Sequence, residues 1–458
     1  MAEVTYASIQ ERINLHKIEY IDLKTIDLVG RLHHITIPVE QFRENILTEG
    51  IGFDGSSYGF LKVENSDMVQ RPDLSTHMMD PFRKRPTMSF FVTVHLTDDE
   101  RTRYPHDVRY IGEKAEQCLR NLEIADDAYW GPEYEFHIFG DAEYINEKTR
   151  VAYEIYPEEE MFQNNAYHCA NPQDLYADFR DEACSYLEKA GIKVKYHHHE
   201  VGREGQQEIE LMFTPLLKTA DQAVITKYIL FNLAKEWGLK ITFMPKPIYK
   251  AAGNGWHLHQ YLIKNNKNIF YKENEYANLS ETARHYIGGV LKHAKSLSAL
   301  ANPSTNSYKR LVRGFEAPVS ITFGQANRTS AIRIPKYIAD PEKTRMEYRP
   351  GDATANPYIY ISAMLMAGID GIVNKYDPEE LGYGPYDKKN VEAGDNIDYL
   401  PRSLGEALKN LEEDHDYLLR ENVFDKKFIE NWINKKQEEI DSIVNRPHPF
   451  EYEMYFEL

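Results

Sequence analysis

Ionisable side chains two residues apart on strand-prone stretches constrain this chain more than any other feature. Glu133 and Glu135 stand in GPEYEF, Glu208 and Glu210 in QQEIEL, and His257 and His259 in GWHLHQ. Residues i and i+2 of a β-strand point to the same face, so each pair projects together. One such pair alone is most often the wet face of an amphipathic strand, and the run His197 to His199 alone reads as a polar surface stretch. The segment HHHEVG adds Glu200. Taken together, several carboxylates on one interior face repel each other and stay ionised only with a cation among them. Oxygen-rich sites with one or two imidazoles suit Mg²⁺ or Mn²⁺, whereas zinc favours cysteine and more histidine.

The rest of the chain alternates strands and helices, an α+β layout. Residues 19–37 and the run TMSFFVTVHL (87–96) are strand-prone, and the polar stretch TDDERTRYPHD (97–107) marks a boundary. Asp107 is placed to cap a helix whose apolar positions Ile111, Ala115, Cys118, Leu119 and Leu122 have helical spacing. Helices are expected over 172–190, ending at Gly191, and over 218–237, ending at Gly238. Between them lie strand candidates at 129–139, 192–198, 207–213, 241–244 and 256–263. The domains are expected at 1–103 and 104–458.

The chain of 458 residues carries a formal charge of −18. That balance argues against binding nucleic acid, which requires clustered Lys and Arg. No apolar run approaches the roughly 20 residues of a membrane span, and the N-terminus lacks the basic and apolar regions of a signal peptide. Three irregularly spaced cysteines make neither a disulfide framework nor a zinc knuckle. The expectation is a cytoplasmic enzyme.

Against this acidic background, residues 304–357 hold Lys309, Arg310, Arg313, Arg328, Arg333, Lys336, Arg345 and Arg349, interleaved with apolar and turn residues. A planar guanidinium donates two parallel hydrogen bonds to a carboxylate or phosphoryl group. A carboxylate-lined metal site beside an arginine cluster suggests phosphoryl transfer to an acidic substrate. No Walker-type glycine-rich loop is present, so a nucleotide must be held differently.

The ordered segments FDGSSYGF (53–60), SDM (66–68), GPEYEF (131–136), HHHEVGREGQQEIEL (197–211), TFMPKP (242–247) and NPSTNSYKRLVRGFEAP (302–318) carry a resemblance. NRTSAIRIP (327–335), RMEYRPGDATANPY (345–358) and MLMAGIDGI (364–372) extend it. The chain resembles the glutamine synthetase family, in its type I bacterial and archaeal class. The resemblance implies a β-grasp-like N-terminal domain and a larger catalytic domain with a curved antiparallel sheet flanked by helices. It also implies a homo-oligomer of two stacked hexameric rings whose active sites lie between subunits. The activity implied is ATP-dependent ligation of glutamate and ammonium through γ-glutamyl phosphate, with two or more Mg²⁺ or Mn²⁺ ions per site.

Residue by residue, the resemblance gives one metal site to Glu135, Glu200 and Glu208 and the other to Glu133, Glu347 and His257. Arg328 and Arg333 match arginines at the transferring phosphoryl group, and Arg310 and Arg349 match those holding glutamate's carboxylates. Gly253 belongs to the same substrate group. The ammonium pocket maps to Asp54, Ser57, Tyr167, Glu200 and Glu316, with Asp54 arriving from the adjacent subunit as proton acceptor and Glu316 on a flap. Phe213, His259 and Arg345 match nucleotide contacts.

Some positions depart from the family pattern. The usual Asn-Gly-Ser-Gly-Met-His reads Ala252-Gly-Asn-Gly-Trp-His257, the loop after Asp54 is one residue short, and Tyr261 replaces a serine. Arg313 replaces a proline, and Lys62 stands where a feedback-sensing arginine is often found. The short loop and the remodelled 252–256 turn give room for a γ-glutamylamine ligase that uses an alkylamine or polyamine. A non-catalytic nitrogen-sensing scaffold is a third reading, against which stands the complete set of six metal-ligand positions.

Overall fold

The computed structural model describes residues 4–61, 63–158, 166–312, 317–387 and 397–458. The chain opens with α1 (Tyr6–His16), capped by Thr5, whose hydroxyl accepts from the Ser8 amide at 3.2 Å. There follow β1 (Tyr20–Ile26), β2 (Leu32–Pro38), β3 (Ile51–Asp54), β4 (Asp67–Pro72), β5 (Met78–Met79) and β6 (Thr87–Leu96). They form one sheet in the order β2-β1-β6-β4-β3, with β5 also on β6. The β1–β6 pair is parallel and the remaining pairs are antiparallel. Ile21, Leu23, Phe90, Val92 and Val94 bury one core beneath Ile9 and Ile13 of α1. Asp54 ends β3, the edge strand, so the loop after it projects from the rim of this sheet.

Helix α2 (Val108–Asn121) begins at Asp107, whose carboxylate accepts from the Arg109 amide at 3.2 Å as the sequence predicts. The larger sheet contains β7 (Asp127–Phe139), then, after a projecting hairpin of β8 (Asp141–Asn146) and β9 (Val151–Tyr156) and helix α3 (Ala177–Lys189), β10 (Val194–His199), β11 (Gln206–Leu211) and β12 (Thr214–Pro215). After α4 (Leu216–Glu236) come β13 (Lys240–Thr242), β14 (Trp256–Lys264) and β15 (Lys267–Asn268). Beyond α5 (Glu281–Lys292), α6 (Ala294–Ala301) and α7 (Ser307–Arg310) lie β16 (Ser320–Gln325), β17 (Ser330–Ile334) and β18 (Met346–Tyr348). The main path runs β10-β11-β7-β14-β18-β17-β16. The pairing is antiparallel except for β16–β17, which is parallel.

One face of this sheet packs on α2, α4 and α8 (Pro357–Asn374), the last buried along nearly its whole length. The other face is left for chemistry. The 172–190 helix is shorter than expected, starting at Ala177, and the 218–237 helix spans 216–236. Gly191 and Gly238, at φ 79° and 71°, end them in the left-handed region that glycine adopts freely. Arg109 ties the two sheets together: it reaches Asp221 on α4 at 3.1 Å and Asp73, beyond β4, at 2.8 Å. Among the described residues, no helix is long and apolar enough to cross a membrane.

Candidate active site

Register, more than loop conformation, assembles the site. Across the sheet His198 of β10 pairs with Glu208 of β11, which pairs with Glu135 of β7. The next row on the same face runs Tyr196, Glu210, Glu133 and His257. A third runs Gly131, His259, Glu347 and Arg333. The i, i+2 pairs read from the sequence therefore share a face, and the strands that carry them are neighbours. This face lines a cavity of about 420 Å³ together with Tyr167, Glu200, Arg328 and Arg349.

The carboxylates fall into two electrostatic classes. Glu133 is buried, which opposes its ionisation, yet His259 Nε2 at 2.7 Å and His257 Nδ1 at 3.0 Å pull its carboxyl well below the usual range. Glu347 is also lowered: burial and Glu133 oppose its charge, but His259, Arg333 and Arg349 prevail. Arg333 Nε donates to Glu347 at 2.5 Å and Arg349 Nε at 3.2 Å. On the other side, burial and the charges of Glu135 and Glu208 push Glu200 up to about 9. Burial, with Glu133, Glu135 and Glu210, holds Glu208 well above the carboxylate range. Half of the site is balanced by its own cations, whereas in the other half His198 beside Glu208 does not offset burial and the mutual repulsion of the carboxylates.

Two groups bring ligand atoms within 4.8 Å of each other: Glu133, His259 and Glu347, and His198, Glu200 and Glu208. They overlap the expected triads without matching them fully. His259 lies closer to Glu133 than His257 does, because it faces the Glu133–Glu347 pair from its own cross-strand position. His198 takes the place next to Glu208, while Glu135 accepts the Gly255 amide at 2.6 Å and lies 3.7 Å from His257 Nε2. The sequence reading missed His198; its place two residues before Glu200 on a strand was the available signal. Hard oxygen donors with imidazole, no thiol among them, and carboxyls that only a cation would ionise fit Mg²⁺ or Mn²⁺ better than zinc.

At one end of the sheet Arg345 lies over the Phe213 ring at 5.3 Å, and its Nε donates to His259 Nδ1 at 3.3 Å. A β-carbon at Gly131 would come within 2.6 Å of that ring, so glycine lets Phe213 lie flat on the strand. Tyr261 packs against Phe213 at 5.2 Å. At the other end, buried Arg310 crosses beneath the 252–256 turn, where a β-carbon at Gly253 would meet the Pro245 carbonyl at 2.5 Å and one at Gly255 the Arg310 Nη2 at 2.6 Å. Trp256 does not face the cavity: it is buried between Tyr134 and Tyr360, 5.4 and 5.3 Å away.

Asp54 and Ser57 are not gathered into this cavity. Asp54 is exposed at the rim of the small sheet, accepting from the Ser56 and Ser57 hydroxyls at 2.7 and 2.8 Å, which hold its carboxyl well below the usual range. Glu316, Arg313 and Lys62 lie outside the described residues.

Similarity to known proteins follows the same division of the chain. The family models "Glutamine synthetase, beta-Grasp domain" and "Glutamine synthetase, catalytic domain" match residues 17–97 and 105–455. A glutamine synthetase of Frankia alni is 41% identical over 96% of this chain and 97% of its own length. That of Mycolicibacterium smegmatis is 41% identical over the whole of both. The cryo-EM structure of Plasmodium falciparum glutamine synthetase superposes with a TM-score of 0.89 at 26% identity, covering 99% of each chain. With a full-length sequence match at this level and a carboxylate-lined sheet face beneath it, the chain belongs to the glutamine synthetase family.

Proposed function

We propose that this chain is a glutamate–ammonia ligase, making glutamine at the expense of ATP through γ-glutamyl phosphate. The observation that carries the reading is the register itself, which sets an acidic face of Glu133, Glu135, Glu208 and Glu347 opposite arginines in one cavity. Relatives about 41% identical across the full chain bear the name of that activity.

In the first step a γ-carboxylate oxygen attacks the terminal phosphorus of ATP, and the bond to the β,γ-bridging oxygen breaks to release ADP. Arg328 and Arg333 line the cavity where they can neutralise the transferring group. Glu133, Glu347 and His257, and Glu135, Glu200 and Glu208, would hold Mg²⁺ or Mn²⁺, which would supply charge neutralisation of the triphosphate. The Phe213–Arg345 pair offers a flat apolar surface and a cation for an adenine ring. In the second step ammonia attacks the activated carbon and phosphate leaves. Ammonium must first lose a proton, and Asp54, exposed and ionised on a sheet rim, suits that task when a neighbouring copy in a ring presents it to this cavity. Glu316 would shield the acyl phosphate from water. We read the assembly as a dodecamer and its location as cytoplasmic, with domains at 1–103 and 104–458.

Ammonium is favoured over a larger amine by the relatives' names. Trp256, sealed between two tyrosines, neither adds nor removes room in the cavity. The test is phosphate release from purified protein with glutamate, ATP and either ammonium or a panel of amines. The highest kcat/KM is expected with ammonium; a higher value with an alkylamine or polyamine would reject the assignment.

A further inference from the structure

The QQEIEL strand carries one inward side chain that the reaction steps do not use. Gln206 stands two residues before Glu208 on β11, opposite His137 of β7, and so points to the same face as Glu208 and Glu210. It lines the cavity yet is only 1% exposed. A carboxamide shut away from water must find its hydrogen bonds within the protein, and this one finds them on separate segments.

Gln206 Oε1 accepts the Gly202 amide at 2.9 Å. Its backbone amide donates to the Gly202 carbonyl at 3.0 Å, and its carbonyl accepts from the Glu200 amide at 2.9 Å. These bonds close the turn that carries Glu200. Nε2 donates to the Gly253 carbonyl at 3.0 Å and faces Glu135 Oε2 at 3.4 Å. The carboxamide can sit only one way round, because the Gly202 N–H is a donor and the Gly253 carbonyl an acceptor. Beyond Gly253, the Asn254 amide donates to the Pro245 carbonyl at 2.9 Å and the Gly255 amide to Glu135 Oε2 at 2.6 Å. Glu135 Oε2 is thus engaged by this brace, and Oε1 is left 3.7 Å from His257 Nε2. Glu135 and Glu200 themselves repel, so a neutral group bonded to both segments is what holds them together before a cation arrives.

We propose that Gln206 is a positioning residue whose carboxamide holds Glu135 and the turn of Glu200 at the spacing that one shared cation needs. The inference rests on the cation assignment within the ligase reading. Without the carboxamide the ligands remain but are free to part, which lowers affinity for that cation and spares the one between Glu133 and Glu347.

The test is Mn²⁺ titration of the purified oligomer, followed by electron paramagnetic resonance. Gln206→Met keeps the length of the side chain and removes its hydrogen bonds. Gly202→Ala keeps Gln206 but displaces it, since a β-carbon at 202 would come within 2.7 Å of Gln206 Oε1 and 2.8 Å of its β-carbon. Each variant is expected to weaken one Mn²⁺ ion roughly tenfold, as loss of a ligand's hydrogen-bond partner does, and to leave the other within about twofold. The retained ion reports that the fold is intact. The losses in Gln206→Met and Glu135→Gln should combine to less than their sum, because one acts through the other. Unchanged affinity in Gln206→Met, equal weakening of both ions in both variants, or full additivity with Glu135→Gln would overturn the proposal. Wild type that binds no Mn²⁺ would sink the cation assignment and this proposal with it. Wild type that binds two ions but makes no glutamine would reject the ligase reading alone, and the binding comparison would still judge Gln206.

Discussion

Replacing Glu200 by glutamine should stabilise the metal-free protein while crippling it as an enzyme. Burial, aided by Glu135 and Glu208, raises this carboxyl from 4.5 to about 9. The folded chain must then take up a proton that the unfolded chain releases, and the penalty grows from pH 4.5 to about 9. At pH 7 the gap of 2.5 pH units above the unfolded value corresponds to about 3 kcal/mol. A neutral amide removes the penalty and can still accept the Val201 amide, 2.7 Å from Glu200 Oε2. Urea unfolding in EDTA at pH 6, 7 and 8 should show Glu200→Gln more stable than wild type by about 3 kcal/mol at pH 7, with the difference widening as pH rises. Saturating Mn²⁺ should reverse the order, because it stabilises the carboxylate form only. A metal-free variant less stable than wild type, or a difference that does not grow with pH, would refute the electrostatic account of this face.

Three further outcomes follow from other parts of the structure. Arg345→Ala removes the cation over Phe213 and should raise the KM for ATP about tenfold, leaving that for glutamate within twofold in steady-state assays. Asp54→Ala should slow amide formation far more than acyl-phosphate formation, read by rapid-quench kinetics; equal losses would contradict its role as proton acceptor. His293 is paired with Asp414 at 2.9 Å and Asp370 at 3.1 Å, and Arg420 also holds Asp370. Burial opposes its charge, but the two carboxylates raise its pKa above 6.5, so its stabilisation is complete below pH 6.5 and lost as pH rises through the folded value. His293→Gln should therefore lower the melting temperature more at pH 6 than at pH 9.

Strand periodicity made the acidic face legible before any coordinates. Glu133 and Glu135 alternate with Tyr134, which is fully buried, so a period of two separates chemistry from core. Adjacency was not legible: nothing local dictates that β7 pairs with β11 on one side and with β14 on the other, because register is fixed by long-range packing. The same limit hid His198, which belongs to the site only through its pairing with Glu208. The parallel β16–β17 pair escaped a reading of the sheet as wholly antiparallel, since strand direction depends on the connection and not on side-chain pattern. The β8–β9 hairpin was also missed; its strands bury little, and Tyr144 and Tyr153 stand exposed, so no apolar alternation marks it.

The helix ends were easier, because caps are local. Asp107, Gly191 and Gly238 each do what their residue type favours. Helix α3 begins at Ala177, five residues after Pro172, and its Arg180 reaches back to Asp174 in the preceding loop at 2.5 Å. The concentration of arginines is plain in the sequence but their partners are not: two of them hold Glu347 and one braces backbone carbonyls.

Mn²⁺ titration followed by electron paramagnetic resonance tests the central claim most directly, because it counts cations on the sheet face without requiring turnover. Wild type should bind at least two Mn²⁺ per chain, Glu208→Gln should lose one, and Glu347→Gln should lose the other. No tight binding, or occupancy indifferent to both substitutions, would contradict the assignment of this face.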